Sequence, residues 1–492
     1  MFLKIKQLTS HLAVYGIGDI VTSAVSFLLL PVYVRYLSPT DYGVLGVLVS
    51  VEALAKIVFR WGVDASFMRL YFDCDDEARR RSLASTLFIF LVAVNGVLIG
   101  LALVLAPPLA ANLFGAPGYE TLLRLMLVTT FIMGSHFIPF HVLRILGKSR
   151  QFIALSFSRS VTTLLLRVIL VIGIDMGVLG VVMADAVTAV IFSVVLLPLF
   201  IPLIRPTFSL GLLRESLAFG LPRLPHGIAH QVIAVADRYL LSLFATLREV
   251  GLYSIGASIG LGPKLFLSAF EVAWAPFYFR LMNEPDARAV YSRVTTYGLA
   301  VLILLTAGLS AVADDLVHLV TTPEFYPAAT VIPWIAVGVT LQGTYLLTSI
   351  GLNITKRTIY YPIATGLGAV TSLGSNLLLI PRYGALGAAW SNVLAYAVLA
   401  GAALCFSQRF YPIRLEWARM AQLAGAGAVA YALARVLVPQ NAAPWLGFLL
   451  RGSIVAAGYP ALLLLVGFLN GPELARLRET AAALRRRAAP SR

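Results

Sequence analysis

Charge is what this chain most lacks. Only 12% of its 492 residues are Asp, Glu, Lys or Arg, about half the share usual in soluble domains, which excludes a solvated globular enzyme. Cysteine is nearly absent too: Cys74 and Cys405 are the only two. Both map to the side read below as cytoplasmic, where thiols stay reduced, so no disulfide is expected. Strand-like alternation over segments of about ten residues is missing, which excludes a transmembrane barrel. No G-x-x-x-x-G-K-[ST] signature occurs and no cytoplasmic loop could house an ATPase, so uphill movement would have to use an ion gradient or coupling to later steps.

What is abundant is apolar material, 59% of the residues, with a mean hydropathy of +0.87. It comes in repeated runs of twenty or more residues, the length of a membrane-spanning helix. The expected fold class is therefore an all-α polytopic membrane protein with about fourteen transmembrane helices. The first run, Leu12 to Val34, carries no small-residue cleavage site and reads as a retained span.

The net charge of +15 is explained by topology. With the N-terminus inside, twenty-five Lys and Arg fall on the cytoplasmic side and five at outer ends. That asymmetry predicts that both termini are cytoplasmic. Nucleic acid is not expected as a partner, because no soluble domain gathers basic residues with aromatics between them. The basic tail ending in Arg485-Arg486-Arg487 and Arg492 is expected to lie against anionic lipid headgroups or in water.

The chain matches itself at a shift of about 207 residues. Tyr42-Gly43-Val44-Leu45 parallels Val250-Gly251-Leu252-Tyr253, and Tyr119 parallels Tyr326. Lys148-Ser-Arg150 parallels Thr355-Lys-Arg357, and Gly177-Val-Leu-Gly180 parallels Gly384-Ala-Leu-Gly387. Each unit holds six spans, an even number, so the two copies enter the membrane in the same direction and form parallel repeats. The expected organisation is a six-helix lobe at 1–210, a second at 211–410, transmembrane helices 13 and 14 at 411–470 and a basic tail at 471–492. Two such lobes facing each other across a central cavity suit a transporter that alternates access.

Charges placed inside this apolar frame are the functional candidates, because a charge at the bilayer centre costs about 2.5–3.5 kcal/mol and must face protein or water. Glu52, Lys56, Arg60 and Asp64 recur every four residues along the second span and share one slowly winding stripe. The repeat shift carries Lys56 onto Lys264 in the eighth span. Two readings stay open for the stripe. Glu52 with Lys56, and Arg60 with Asp64, could neutralise one another at i,i+4, or Lys56 and Lys264 could bind an anion between the lobes.

The seventh span reads Gly220-Leu-Pro222-Arg223-Leu-Pro225-His226-Gly-Ile-Ala-His230. Its prolines break the helix, and freed carbonyls at membrane depth are tolerated only against protein or a wet cavity. Arg223, His226 and His230 are thus expected to line a hydrated path. His226 and His230 also have helical metal spacing but lack a third ligand, so neither metal nor cofactor is expected. Asp237 and Arg238 read as an interlobe or capping pair. Asp19, Arg159, Arg167, Asp185 and Glu271 are further buried candidates. Asp19, Glu52, Asp64 and Asp185 are carboxylates of the kind that could couple an ion.

Leu30-Pro31-Val-Tyr33-Val-Arg35-Tyr36-Leu37-Ser38-Pro39-Thr40-Asp41-Tyr42-Gly43 resembles the opening of the polysaccharide-biosynthesis exporters, the Wzx-type O-antigen and oligosaccharide flippases of the MOP superfamily. Gly62-Val-Asp64-Ala-Ser-Phe-Met-Arg69-Leu-Tyr71-Phe72, Asp237-Arg238-Tyr239 and Glu249-Val-Gly251-Leu-Tyr253-Ser254 are further matches. The resemblance implies a MATE/MOP-like fold and translocation of an undecaprenyl-diphosphate-linked oligosaccharide across the bacterial inner membrane. It implies membrane lipids, a polymerase and chain-length proteins of the same pathway as partners. Two other classes compete. A multidrug antiporter of the same superfamily normally has twelve spans and handles cations, and a membrane-embedded glycosyltransferase or polymerase would not need a parallel repeat.

Overall fold

The computed structural model describes residues 30–469. Asp19, most of the first expected span and the basic tail lie outside the described residues. The described residues are helical throughout, with no strand. The helices are α1 (Leu30–Tyr33), α2 (Pro39–Arg60), α3 (Val63–Asp73), α4 (Glu77–Val104), α5 (Ala106–Phe114), α6 (Glu120–Met133), α7 (Phe137–Ile145), α8 (Ser149–Val168), α9 (Gly177–Phe200) and α10 (Leu210–Gly220). The second half follows with α11 (Leu224–Phe244), α12 (Leu247–Gly260), α13 (Lys264–Leu281), α14 (Ala287–Ala311), α15 (Ala313–Val320), α16 (Ile332–Thr348), α17 (Ile350–Ile354), α18 (Tyr360–Phe410), α19 (Trp417–Leu437) and α20 (Pro444–Leu465).

Ten helices among the described residues are long and apolar enough to cross a membrane, or eleven if the bent pair Leu247–Gly260 and Lys264–Leu281 is one span. One of the ten, α18, is 51 residues long and breaks at Gly384, where φ is 52°, so it supplies two crossings. The fourteen expected spans also include α11, whose two histidines, glutamine and Asp237-Arg238 pair lower its apolarity, and the run at 12–34 outside the described residues. The stretch after the third expected span is largely the short helix α5, started by Pro107 and Pro108 and ended at Gly115.

The elements recur at the spacing of the sequence repeat. The short helices α5 and α15 begin at Ala106 and Ala313, and Gly177 and Gly384 turn the chain with φ of 54° and 52°. Lipid tails are as apolar as leucine, so helices in a bilayer associate through close packing of small residues more than through a hydrophobic drive. The two halves meet in this way. A Cβ on Gly43 of α2 would collide with the carbonyl oxygen of Leu247, and one on Gly251 of α12 with that of Pro39. Val44, Val47, Leu48, Leu241, Val250 and Tyr253 close around that approach in one buried cluster. At the other end α10 packs on α3 and α4, with Leu212 and Leu213 buried among Val63, Phe67, Leu83 and Leu87. Helices α19 and α20 stand on α14, through Leu302, Leu423, Ala430 and Val455.

Candidate functional site

Between those two contacts lies a cavity of about 640 Å³ lined by Glu52, Lys56, Arg60 and Asp64 from α2 and α3, and by Arg223, His226 and Gln231 facing them across the halves. Two helix breaks form one end of it. After Arg60, Trp61 and Gly62 both take left-handed conformations, φ 51° and 68°, and α3 restarts at Val63. The break would strand backbone groups at membrane depth, a cost of several kcal/mol for each unsatisfied group. Asn95 of α4, 3% exposed, answers this: its Nδ2 donates to the Phe59 carbonyl at 2.7 Å, and its Oδ1 accepts from Trp61 Nε1 at 3.0 Å. Opposite, Leu221–Arg223 form a single tight turn between α10 and α11, set by Pro222 and Pro225. The two breaks touch, for a Cβ on Gly220 would stand 2.7 Å from the Gly62 carbonyl oxygen.

Within the stripe the charges pair along the helix. Lys56 Nζ lies 2.7 Å from Glu52 Oε1, yet the lysine side chain is 45% exposed. Arg60 lies 3.5 Å from Asp64, whose Oδ1 also accepts from the Ala65 amide at 2.9 Å. Arg60 and Arg223 are exposed to the cavity; Arg223 makes no ion pair among the described residues, and its guanidinium sits 5.1 Å over the Phe219 ring. The cavity thus presents three cations against two carboxylates, an arrangement that attracts an anion of higher charge than either carboxylate.

The other candidates are placed as follows. Lys264 is not among the residues lining this cavity; it opens α13 directly after the bend at Gly260–Pro263. Its carboxylate neighbour is Glu271, two turns along the same helix. Glu271, expected to be buried, is exposed, because α13 leaves that face uncovered. His230 lies one turn beyond His226, within electrostatic reach of it and of Lys264. Arg167 forks onto Asp185, with Nη2 at 2.8 Å from both carboxylate oxygens and Nε at 3.1 Å from Oδ1, and its charge also reaches Glu52. Arg159 lies 5.8 Å from the Phe140 ring centroid, close enough to Arg60 for mutual repulsion.

Asp237 and Arg238 do not bridge the halves. Asp237, 3% exposed, accepts from the Tyr253 hydroxyl and from the Arg238 amide, and Arg238 lies over the Tyr253 ring at 5.6 Å. The pair therefore clamps α11 to α12, both in the second half, because the chain folds back on itself between Asp237 and Tyr253, 16 positions apart.

Gln231 and Asn95 were not singled out in the sequence. Gln231 shares with Arg223 and His226 the face of α11 that meets the cavity, so helical spacing from Arg223 is the signal for it. A lone asparagine in an apolar span carries no such pattern.

The family model described as Polysaccharide biosynthesis protein matches residues 32–330, most of the chain and all of the cavity lining. The chain belongs to this family of polysaccharide biosynthesis proteins. No curated protein matches it by sequence. Among solved structures, the lipid II flippase MurJ in an inward closed conformation superposes with a TM-score of 0.74 at 15% identity, covering 91% of this chain and 97% of that one. An inward-facing multidrug resistance MATE transporter of the MOP superfamily gives 0.63 at 15% identity, with coverage of 82% and 96%. A MATE transporter of Vibrio cholerae gives 0.51 at 16%, with 82% and 96%. The chain shares the fold of these structures.

Proposed function

We propose that the protein flips an undecaprenyl-diphosphate-linked oligosaccharide from the cytoplasmic to the outer leaflet of the bacterial inner membrane, for assembly of a surface polysaccharide. The observation that carries this reading is the cavity between the halves of a polysaccharide biosynthesis protein, where Lys56, Arg60 and Arg223 converge. A diphosphate is a compact polyanion, and it takes charge-assisted hydrogen bonds from lysine as a point charge and from arginine as a fork. In this reading 1–210 and 211–410 are the two rocking lobes. The Gly62 end faces the cytoplasm and the Gly43 end faces out, with both termini inside. The lipid tail stays in the bilayer while the headgroup occupies the cavity. Glu52 completes the diphosphate site with His226 on the opposite wall, and Lys264 and His230, outside that lining, take up the headgroup as the lobes rock.

Arrival of the diphosphate gives Lys56 a stronger partner than Glu52. The freed carboxylate would then sit in a low dielectric beside Arg167, which already holds Asp185. A carboxylate released in this way tends to take up a proton or a cation. Glu52 and Asp185 are the groups through which an ion gradient would act, and Asp64, Asp237 and Asp19 are further carboxylates of the same kind.

The test is a leaflet assay with the purified protein in vesicles, following a polyprenyl-diphosphate oligosaccharide by its accessibility to an added lectin or glycosidase. Movement of that lipid that depends on the protein is expected. Movement of a cationic dye driven by an ion gradient, with the lipid left in place, would favour an antiporter instead.

A further inference from the structure

Among the described residues, Trp61, Asp175 and Lys356 take a left-handed backbone without being glycine. Asp175 and Lys356 sit in connections between helices. Trp61 instead interrupts Pro39–Asp73, an apolar stretch of 35 residues that is long enough to cross the membrane as one helix. A bulky side chain is disfavoured in that conformation and stays in it only where its surroundings hold it. Nothing covalent forces the break, because residues 40–73 contain no proline, and a glycine such as Gly62 weakens a helix without ending it. The segment therefore has two forms open to it, the broken one and a continuous helix.

Asn95 and Phe90 of α4 hold the broken form. Trp61 Nε1 donates to Asn95 Oδ1 at 3.0 Å, and its ring meets Phe90 edge-on, 6.0 Å between centroids. Asn95 Nδ2 donates at 2.7 Å to the Phe59 carbonyl, the oxygen that a continuous helix would give to the Val63 amide. Straightening thus exchanges the Asn95 bond for a backbone one. The segments on either side of the break grip different neighbours, α2 packing on α11 and α12, and α3 on α10. The break itself brings Gly62 onto Gly220, and Arg60, Gly62 and Asp64 all line the cavity. The second half has a bend in the corresponding span, where α12 and α13 meet at 49°.

We propose that Asn95 and Trp61 form a latch that keeps α2 and α3 broken while the Gly62 end of the cavity is closed. That end opens as the latch releases and the helix runs on through Trp61. Asn95 is then a positioning residue: it acts on Arg60, Gly62 and Asp64 through Trp61 and is not among the residues that line the cavity. The latch rests on reading the cavity as a transport path, whatever passes along it.

The experiment measures how fast a membrane-impermeant maleimide, added on the side where α3 ends, labels Ala53→Cys on the cavity wall. It uses the full-length protein in vesicles, with the exposed Cys405 replaced by serine. Asn95→Ala removes both hydrogen bonds, and Trp61→Phe removes the indole donor while keeping a ring against Phe90. Each should speed labelling about five- to tenfold, the weight of one or two ordinary hydrogen bonds. Adding Trp61→Gly to Asn95→Ala should return the rate toward the parent's, because glycine takes the left-handed turn without strain and disfavours the continuous helix. General loosening of the fold would not be reversed by that second change. An unchanged rate in Asn95→Ala or in Trp61→Phe, or a fast rate that Trp61→Gly leaves fast, would overturn the latch. No ligand enters the measurement, so a protein that moves no lipid in the leaflet assay loses the flippase reading and leaves this result standing.

Discussion

Gly62 and Gly220 touch backbone to backbone, each at the break of its own helix, and so join the two halves at one end of the charged cavity. A side chain at either position has nowhere to go, since the nearest atoms are main chain.

Gly220→Ala should therefore wedge that end open. Overpacking of this kind costs about 1–3 kcal/mol, enough to move a two-state equilibrium by one to two orders of magnitude at about 1.4 kcal/mol per tenfold. A cysteine placed at Ala53, on the cavity wall, should then react faster with a membrane-impermeant maleimide added on the side where α3 ends. Cys405, the exposed native cysteine assigned to that side, is first replaced by serine; Cys74, beyond the end of α3 and 3% exposed, has its thiol pushed up by burial, which leaves less thiolate at neutral pH. Unchanged labelling at Ala53→Cys would show that the glycine contact is not a gate.

Asp315 and Arg451 make the most buried ion pair among the described residues, with side chains 6% and 4% exposed and 2.5 Å between Nη1 and Oδ1. Arg451 also donates to the carbonyls of Val438 and Pro439, so it ties α20 to α15 and to the end of α19. Arg451→Met should lower unfolding stability by about 3–5 kcal/mol, because it leaves a buried carboxylate alone. The double change with Asp315→Asn should recover part of that loss. Thermal unfolding in detergent measures both, and equal melting of Arg451→Met and the parent would refute the role.

Apolar run length and the spacing of basic residues made the helical fold readable in the sequence, and the four-residue stripe made the cavity wall readable, since helix geometry alone puts Glu52, Lys56, Arg60 and Asp64 on one face. Pro222 and Pro225 gave the break in the seventh span. Other features depend on contacts between distant segments and leave no local pattern. Asn95 capping the Phe59 carbonyl joins residues 36 apart, and the Arg451 to Asp315 pair joins residues 136 apart. Asp237 and Arg238 read as an interlobe or capping pair because adjacency says nothing of the helix each side chain faces; the Asp237 contact with Tyr253 is visible only in the fold. Lys264 was paired with Lys56 by register, which cannot show that the bend in the eighth span falls just before it while that in the second falls after Arg60.

The distribution of basic residues predicts the topology. Reporter fusions after Asp76, Lys148, Asp286 and Lys356 should read as cytoplasmic, and fusions after Ala116 and Pro323 as external. A reversed pair would change the sidedness assigned to the Gly62 and Gly43 ends.

Lys56 is the residue on which the diphosphate reading turns, because its pairing with Glu52 admits a purely structural account. The two accounts predict opposite responses. If the lysine holds the diphosphate, the positive charge matters: Lys56→Ala, at normal expression, should leave lipid-linked oligosaccharide in the inner leaflet and cut surface glycan by about tenfold or more, while Lys56→Arg keeps partial activity. If the lysine only balances Glu52, removing both charges together should repair what removing one breaks, as happens when both members of an ion pair are replaced by neutral groups. Lys56→Met with Glu52→Gln separates them. Export that stays low in this double variant supports diphosphate binding at Lys56, and restored export reduces the stripe to helix packing. Lys264→Ala, read in the same assay, should also lower export, because among the described residues its ammonium at the start of α13 makes no close ion pair; normal surface glycan in that variant would remove Lys264 from the diphosphate site.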